Sequence, residues 1–162
     1  MGPIPTLMIA VVLERRPVGG RWGGERWEPV GAVPDVGGEP RAIIEAPEAS
    51  QWLYPGFELA LRRDEAEGYF LNATSEQPSV FVSIRQDEGD ARPRAFQCTL
   101  SYNEAARWMD GGERVERVPA WPELAQWMSQ WVEQNYRAQP KKRQRPRSFE
   151  GKEGVLREEG NS

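Results

Sequence analysis

The chain has no histidine, a single cysteine and no long apolar run, and each absence removes a class of function. Without histidine there is no Ser-His-Asp or Cys-His catalysis and no imidazole-bound metal. Cys98 has no partner for an internal disulfide, and one lone thiol suits a reducing compartment. The apolar stretch Leu7–Leu13 is far too short to span a bilayer. It precedes Arg15 and Arg16, whereas a secretory signal carries its positive charge first. It therefore reads as a buried strand of a cytoplasmic protein without membrane association. Carboxylate chemistry stays open.

What remains is enough for one core. At 162 residues the chain has the length of one domain, with a mean hydropathy of -0.72. Its charge is divided: residues 1–136 hold 13 Lys/Arg against 21 Asp/Glu, residues 137–162 hold 8 against 4. An acidic body argues against a nucleic-acid reader, which needs clustered cations for phosphate. A basic segment at one end has the character of an interaction tail. Its stretch Arg137–Arg147 has no apolar side chain larger than alanine and cannot offset the entropy of ordering. The expected organisation is one domain over 1–136 and a disordered, basic-then-mixed-charge tail over 137–162.

Period-two patterning dominates the first two thirds. Phe57, Leu59 and Leu61 alternate with polar or small residues, and Tyr69 and Leu71 continue the pattern after a charged turn. Phe57–Arg62 and Tyr69–Ala73 are thus predicted to form a hairpin. Val80, Val82 and Ile84 predict the next strand, with Phe81 on its other face. Phe96, Cys98 and Leu100 predict another, sharing one face. Glu25–Val33 predicts a strand that Pro29 confines to an edge or a bulge. Residues 34–56, rich in proline and glycine, read as loop around one short strand at Arg41–Glu45.

The period then changes. Ser101 and Glu104 have the spacing of a capping box, and Gly111-Gly112 ends the short helix that carries Ala105, Trp108 and Met109. Pro122 opens a second helix, whose Leu124, Trp127, Met128 and Trp131 have helical spacing. The fold class is α+β: a curled antiparallel sheet or small barrel of about five to seven strands, closed by two C-terminal helices. A pleckstrin-homology-like barrel is one form of it.

Sites are sparse. Gly19–Gly24 has the backbone freedom of an anion cradle but lacks the Gly-Lys-Ser/Thr ending, and reads as loop. The carboxylates of Asp64–Glu67 and Asp87–Asp90 fall on turns that need solvation, and Cys98 is a small buried hydrophobe. No catalytic, metal or cofactor residues are assigned. Trp22, Trp27, Trp52 and Trp121 lie in or beside Gly/Pro-rich segments, where they either anchor loops or form an aromatic partner surface. With Lys141, Lys142, Arg143 and Arg145 of the tail, they are the candidate partner-binding residues.

Five stretches occur in order: Ala10–Pro17, Arg26–Gly31, Arg62–Tyr69, Gln77–Val82 and Ser101–Gly111, followed by the Lys/Arg tail. Together they resemble the bacterial family known as domain of unknown function 3305, over about residues 8–145. Tyr102-Asn103-Glu104-Ala105-Ala106-Arg107-Trp108 is the most specific part. The resemblance implies a setting, since its members tend to be encoded near molybdenum- or tungsten-dependent formate dehydrogenases and their maturation factors. It thereby implies a non-catalytic accessory or assembly protein that contacts such a dehydrogenase. The alternatives are an enzyme of molybdenum-cofactor (guanine dinucleotide) biosynthesis and a constitutive small subunit of the dehydrogenase.

Overall fold

A computed structural model describes residues 2–19 and 23–137. It is α+β, with seven strands in two antiparallel sheets and three helices. Strands β1 (Thr6–Pro17), β2 (Glu25–Pro34), β3 (Arg41–Glu45) and β4 (Ser50–Ala60) form the larger sheet in the order β2-β1-β4-β3. A 3-10 turn (Arg63–Glu65) and helix α1 (Ala66–Ala73) lead to β5 (Ser79–Arg85) and β6 (Arg94–Thr99). Helix α2 (Tyr102–Asp110), strand β7 (Arg114–Pro119) and helix α3 (Pro122–Asn135) follow. The smaller sheet has the order β6-β5-β7. Both outer strands run antiparallel to β5 and so parallel to each other, which requires the α2 crossover.

The core lies between the sheets. Ile9, Val11 and Leu13 of β1 meet Val80, Val82 and Ile84 of β5, with Leu124, Met128 and Val132 of α3 closing one end. Each such side chain contributes about 1.5–3 kcal/mol on burial. The alternate residues of β1, Ala10 and Val12, are also covered, which is why this strand reads as an unbroken apolar run. Where β2 meets β7, Arg114 Nη2 donates to Trp27 O at 2.7 Å. Where β4 meets β6, Tyr54 OH donates to Pro93 O at 3.1 Å. No ladder crosses either line among the described residues, so the expected barrel is not closed.

Three local readings are corrected. Tyr69–Ala73 is not the second strand of a hairpin but the end of α1. The helix buries Ala66, Gly68, Tyr69 and Asn72, a face whose glycine and asparagine carry no hydrophobic signal. Residues Ser50–Gly56 are not loop but the first half of β4. Pro55 and Gly56 are accommodated by a register shift opposite Ala10, where Gly56 takes φ 93°. Phe96 does not share the core face of Cys98: it is the extra residue at a register shift, and it lies exposed beneath the Arg85 guanidinium at 3.6 Å. Strand β7 is an addition, since only one of its residues, Val118, is fully buried.

Other expectations hold. β2 is an edge strand, and its register shifts by one residue at Pro29. Ser101 caps α2 by accepting from Glu104 N at 3.0 Å, but the return bond of the capping box is relayed. Ser101 N donates to Thr99 Oγ1 at 3.0 Å, and that hydroxyl donates to Glu104 at 2.5 Å. Gly112, with φ 95°, ends the helix. Helix α2 covers the outer face of the smaller sheet, with Tyr102 edge-on to Phe81. Trp108 is accordingly half-buried there and is not packed on the main core.

Candidate interaction surface

The two sheets differ in how their outer faces are treated. The helices pack on one another, on the smaller sheet and on the core side of the larger one, where Tyr69 OH donates to Ala60 O at 2.8 Å and Leu124, Met128 and Val132 join Ile9, Val11 and Leu13. The outer face of the larger sheet is therefore left to its own side chains. Ala10, Val12 and Leu53 form a small second cluster there, with Val33 against it. Around them lie Met8, 41% exposed, and Ile44 of β3, 46% exposed.

Towards the β1–β2 turn this face becomes polar. Glu14 accepts from Gln51 Nε2 at 2.9 Å and from Arg16 Nε at 2.5 Å. The Gln51 bond, aided by Arg16, holds its carboxyl below the usual range against the opposing effect of burial. Arg26 and Glu28 pair beside it at 2.8 Å. An apolar centre with a paired, charged border is the composition of a contact surface.

Two of the clefts hold polar groups that are already engaged. One of about 440 Å³ opens where β2 meets β7, lined by Arg26, Trp27, Gln86, Arg114 and Glu116 among others. Its two arginines are engaged: Arg26 by Glu28, Arg114 by Glu116 at 3.2 Å and by the Trp27 carbonyl. A second cleft, about 290 Å³, lies by the densest polar network. There Ser101 Oγ donates to Glu65 at 2.6 Å, and the same carboxylate pairs with Arg107. These bonds fix α2 against the 3-10 turn and leave neither carboxylate oxygen of Glu65 without a donor. Two of the three carboxylates of the 86–93 loop are tied likewise, Asp87 and Asp90 to Arg94 at 3.2 and 3.0 Å. No group of three potential metal ligands occurs among the described residues.

Cys98 is partly buried. It packs against the core, and burial pushes its thiol up to about 12. A disulfide reagent added to the native chain is therefore expected to react slowly, and with one equivalent after denaturation. Complete labelling of the native chain within a minute at pH 8 would contradict this placement.

The candidate tryptophans are placed mostly inward. Trp27 is 9% exposed and belongs to the core, while Trp52 and Trp121 are half-buried and packed against it. The Arg92 guanidinium stacks on Trp52 at 3.3 Å from the ring centre. These three do not converge on one surface patch. Trp22 and the tail residues Lys141, Lys142, Arg143 and Arg145 lie outside the described residues. Met8, Ile43 and Ile44 were missed as surface candidates. The only sequence signal of the isoleucines is an apolar pair in a short strand between Pro40 and Pro47, and Met8 is hidden in the apolar run Leu7–Leu13.

No helix among the described residues is long and apolar enough to cross a membrane. No curated protein and no solved structure matches the chain. A family model described as protein of unknown function (DUF3305) matches residues 8–145, a span that takes in both sheets, all three helices and the uncovered face. The chain belongs to the DUF3305 family.

Proposed function

We propose that this protein is a cytoplasmic, non-catalytic accessory or assembly protein that binds a molybdenum-dependent formate dehydrogenase or its maturation factors. The observation that carries the binding reading is the outer face of the four-stranded sheet, where Met8 and Ile44 stand 41% and 46% exposed around the buried Ala10, Val12 and Leu53, and where no described helix packs. A face of that kind is a protein-contact surface more readily than a reaction centre. The choice of partner follows from the gene setting that the family resemblance implies. Supporting the non-catalytic reading, Glu65, Asp87 and Asp90 are held in ion pairs and burial pushes the one thiol up.

Affinity purification of the tagged protein from its native host is expected to recover dehydrogenase subunits or maturation factors. A Met8→Glu substitution places a charge on the uncovered face without touching the main core. It is expected to reduce that recovery at least tenfold at unchanged thermal stability. Deletion of the gene with no loss of formate dehydrogenase activity or molybdenum content would contradict the reading.

A further inference from the structure

A sheet edge exposes unpaired N–H and C=O groups, and folded proteins guard such edges with charged side chains, proline, a bulge, short length or a covering segment. Three of the four edges here have cover: β2 and β7 lie against each other, and β6 lies against β4. The outer edge of β3 is the fourth, and among the described residues no strand pairs with it. It has no cover beyond its own short length, a bulge at Ile43 and the charges of Arg41 and Glu45, which flank Ala42, Ile43 and Ile44. The two isoleucines are 47% and 46% exposed. Glu45 forms no ion pair with a described residue, and Arg41, whose Nη1 donates to the Gly37 and Glu39 carbonyls at 2.9 and 3.0 Å, has no described carboxylate partner.

We propose that β3 accepts an extended segment of a protein partner as a fifth strand of this sheet, a mode that rests on the partner-binding reading above. Backbone bonds along the edge supply affinity, and the side chains select the segment. The other ladders of the sheet are antiparallel, so the added strand runs antiparallel too. Four residues of β4, Ser50–Leu53, oppose the five of β3, because Ile43 is an extra residue in the register. A regular partner strand does the same. Its sequence then reads, from the N-terminus, a cation beside Glu45, two apolar residues along the isoleucines and a carboxylate beside Arg41.

A second copy of β3 fits this edge less well, although it too begins with a cation and ends with a carboxylate. The register pairs Arg41 with Leu53 and Glu45 with Ser50, which point to opposite faces of the sheet. Two bulged strands paired about Ile43 would set each arginine and its opposing glutamate on different faces. The ion pairs would not close.

The test is selection of phage-displayed random dodecapeptides on the full chain. Enriched peptides are expected to carry the cation–apolar–apolar–carboxylate order and to slow amide exchange at residues 41–45. Fluorescence anisotropy should show at least tenfold weaker binding to the Ile43→Lys, Ile44→Lys variant. Exchanging the charges, Arg41→Glu with Glu45→Arg, should move the preference to peptides of reversed charge order, which a merely disturbed fold would not do. No enrichment, or peptides indifferent to both variants, would overturn the proposal. So would a concentration-dependent dimer of the unaltered chain that the lysine variant abolishes, which assigns the edge to a second copy. The selection uses no dehydrogenase, so its failure leaves the choice of partner standing, and a dehydrogenase that ignores the chain leaves strand addition standing.

Discussion

Replacing Asn72 with alanine is expected to lower the unfolding free energy by about 3–5 kcal/mol, the largest loss from any single polar residue here. The side chain is fully buried in α1 and holds three backbone groups from two other segments. Its Nδ2 donates to Ser79 O and to Leu100 O, both at 2.8 Å, and its Oδ1 accepts from Ser79 N at 2.9 Å. Alanine leaves those groups buried without partners, and each costs about 1–3 kcal/mol. The sum is a large share of the roughly 5–15 kcal/mol that stabilises a typical domain. For a chain of this size it corresponds to a fall of about 10 °C or more in Tm. Urea unfolding followed by tryptophan fluorescence reads it directly. A loss under about 1 kcal/mol would mean that water takes the place of the lost amide and satisfies the three backbone groups.

Gly68→Ala is expected to destabilise by about 2 kcal/mol, against the ordinary preference of a helix for alanine. In an isolated helix the change would gain about 1 kcal/mol. Here α1 crosses the start of α2 at Gly68. A Cβ would overlap Ser101 Oγ and lie 3.0 Å from Ser101 Cβ and 3.1 Å from the Asn103 backbone N. The serine cannot swing aside freely, since its hydroxyl is bonded both to Glu65 and to the Glu104 amide. The packing term wins. Combining Gly68→Ala with Ser101→Ala removes the overlapping oxygen, so the two losses should add to less than their sum. Strict additivity, or a stabilised Gly68→Ala chain, would show that the helices separate at little cost.

These two positions also explain what could be read from the sequence and what could not. Strands β1, β2 and β5 and helix α3 announce themselves because their burial is hydrophobic and their apolar residues keep a regular spacing. Ser101 announces α2 through local chemistry. Helix α1 hides because its inward face is built from close approach at Gly68 and hydrogen bonding at Asn72, neither of which raises the hydrophobic signal. The first half of β4 hides behind Pro55 and Gly56, which mark a turn in most settings but a register shift here. Phe96 alternates correctly on paper, and one extra residue in the ladder turns it outwards.

The site was less legible than the fold for a different reason. Tryptophan content drew attention to side chains that are largely packed on the core, such as Trp27 under the Arg114 contact. Arg41–Glu45 was legible as a strand. That its outer edge is the uncovered one is a property of strand order, and strand order depends on pairings between residues far apart in the chain. The absence of histidine, by contrast, limits the chemistry whatever the topology.

The most direct test of docking through the uncovered sheet is amide hydrogen exchange of the full chain, alone and mixed with purified formate dehydrogenase. Slower exchange confined to β1, β3 and β4, with α2 and α3 unchanged, is the expected result. Exchange that is the same in both samples, or protection centred on the helices instead, would contradict it.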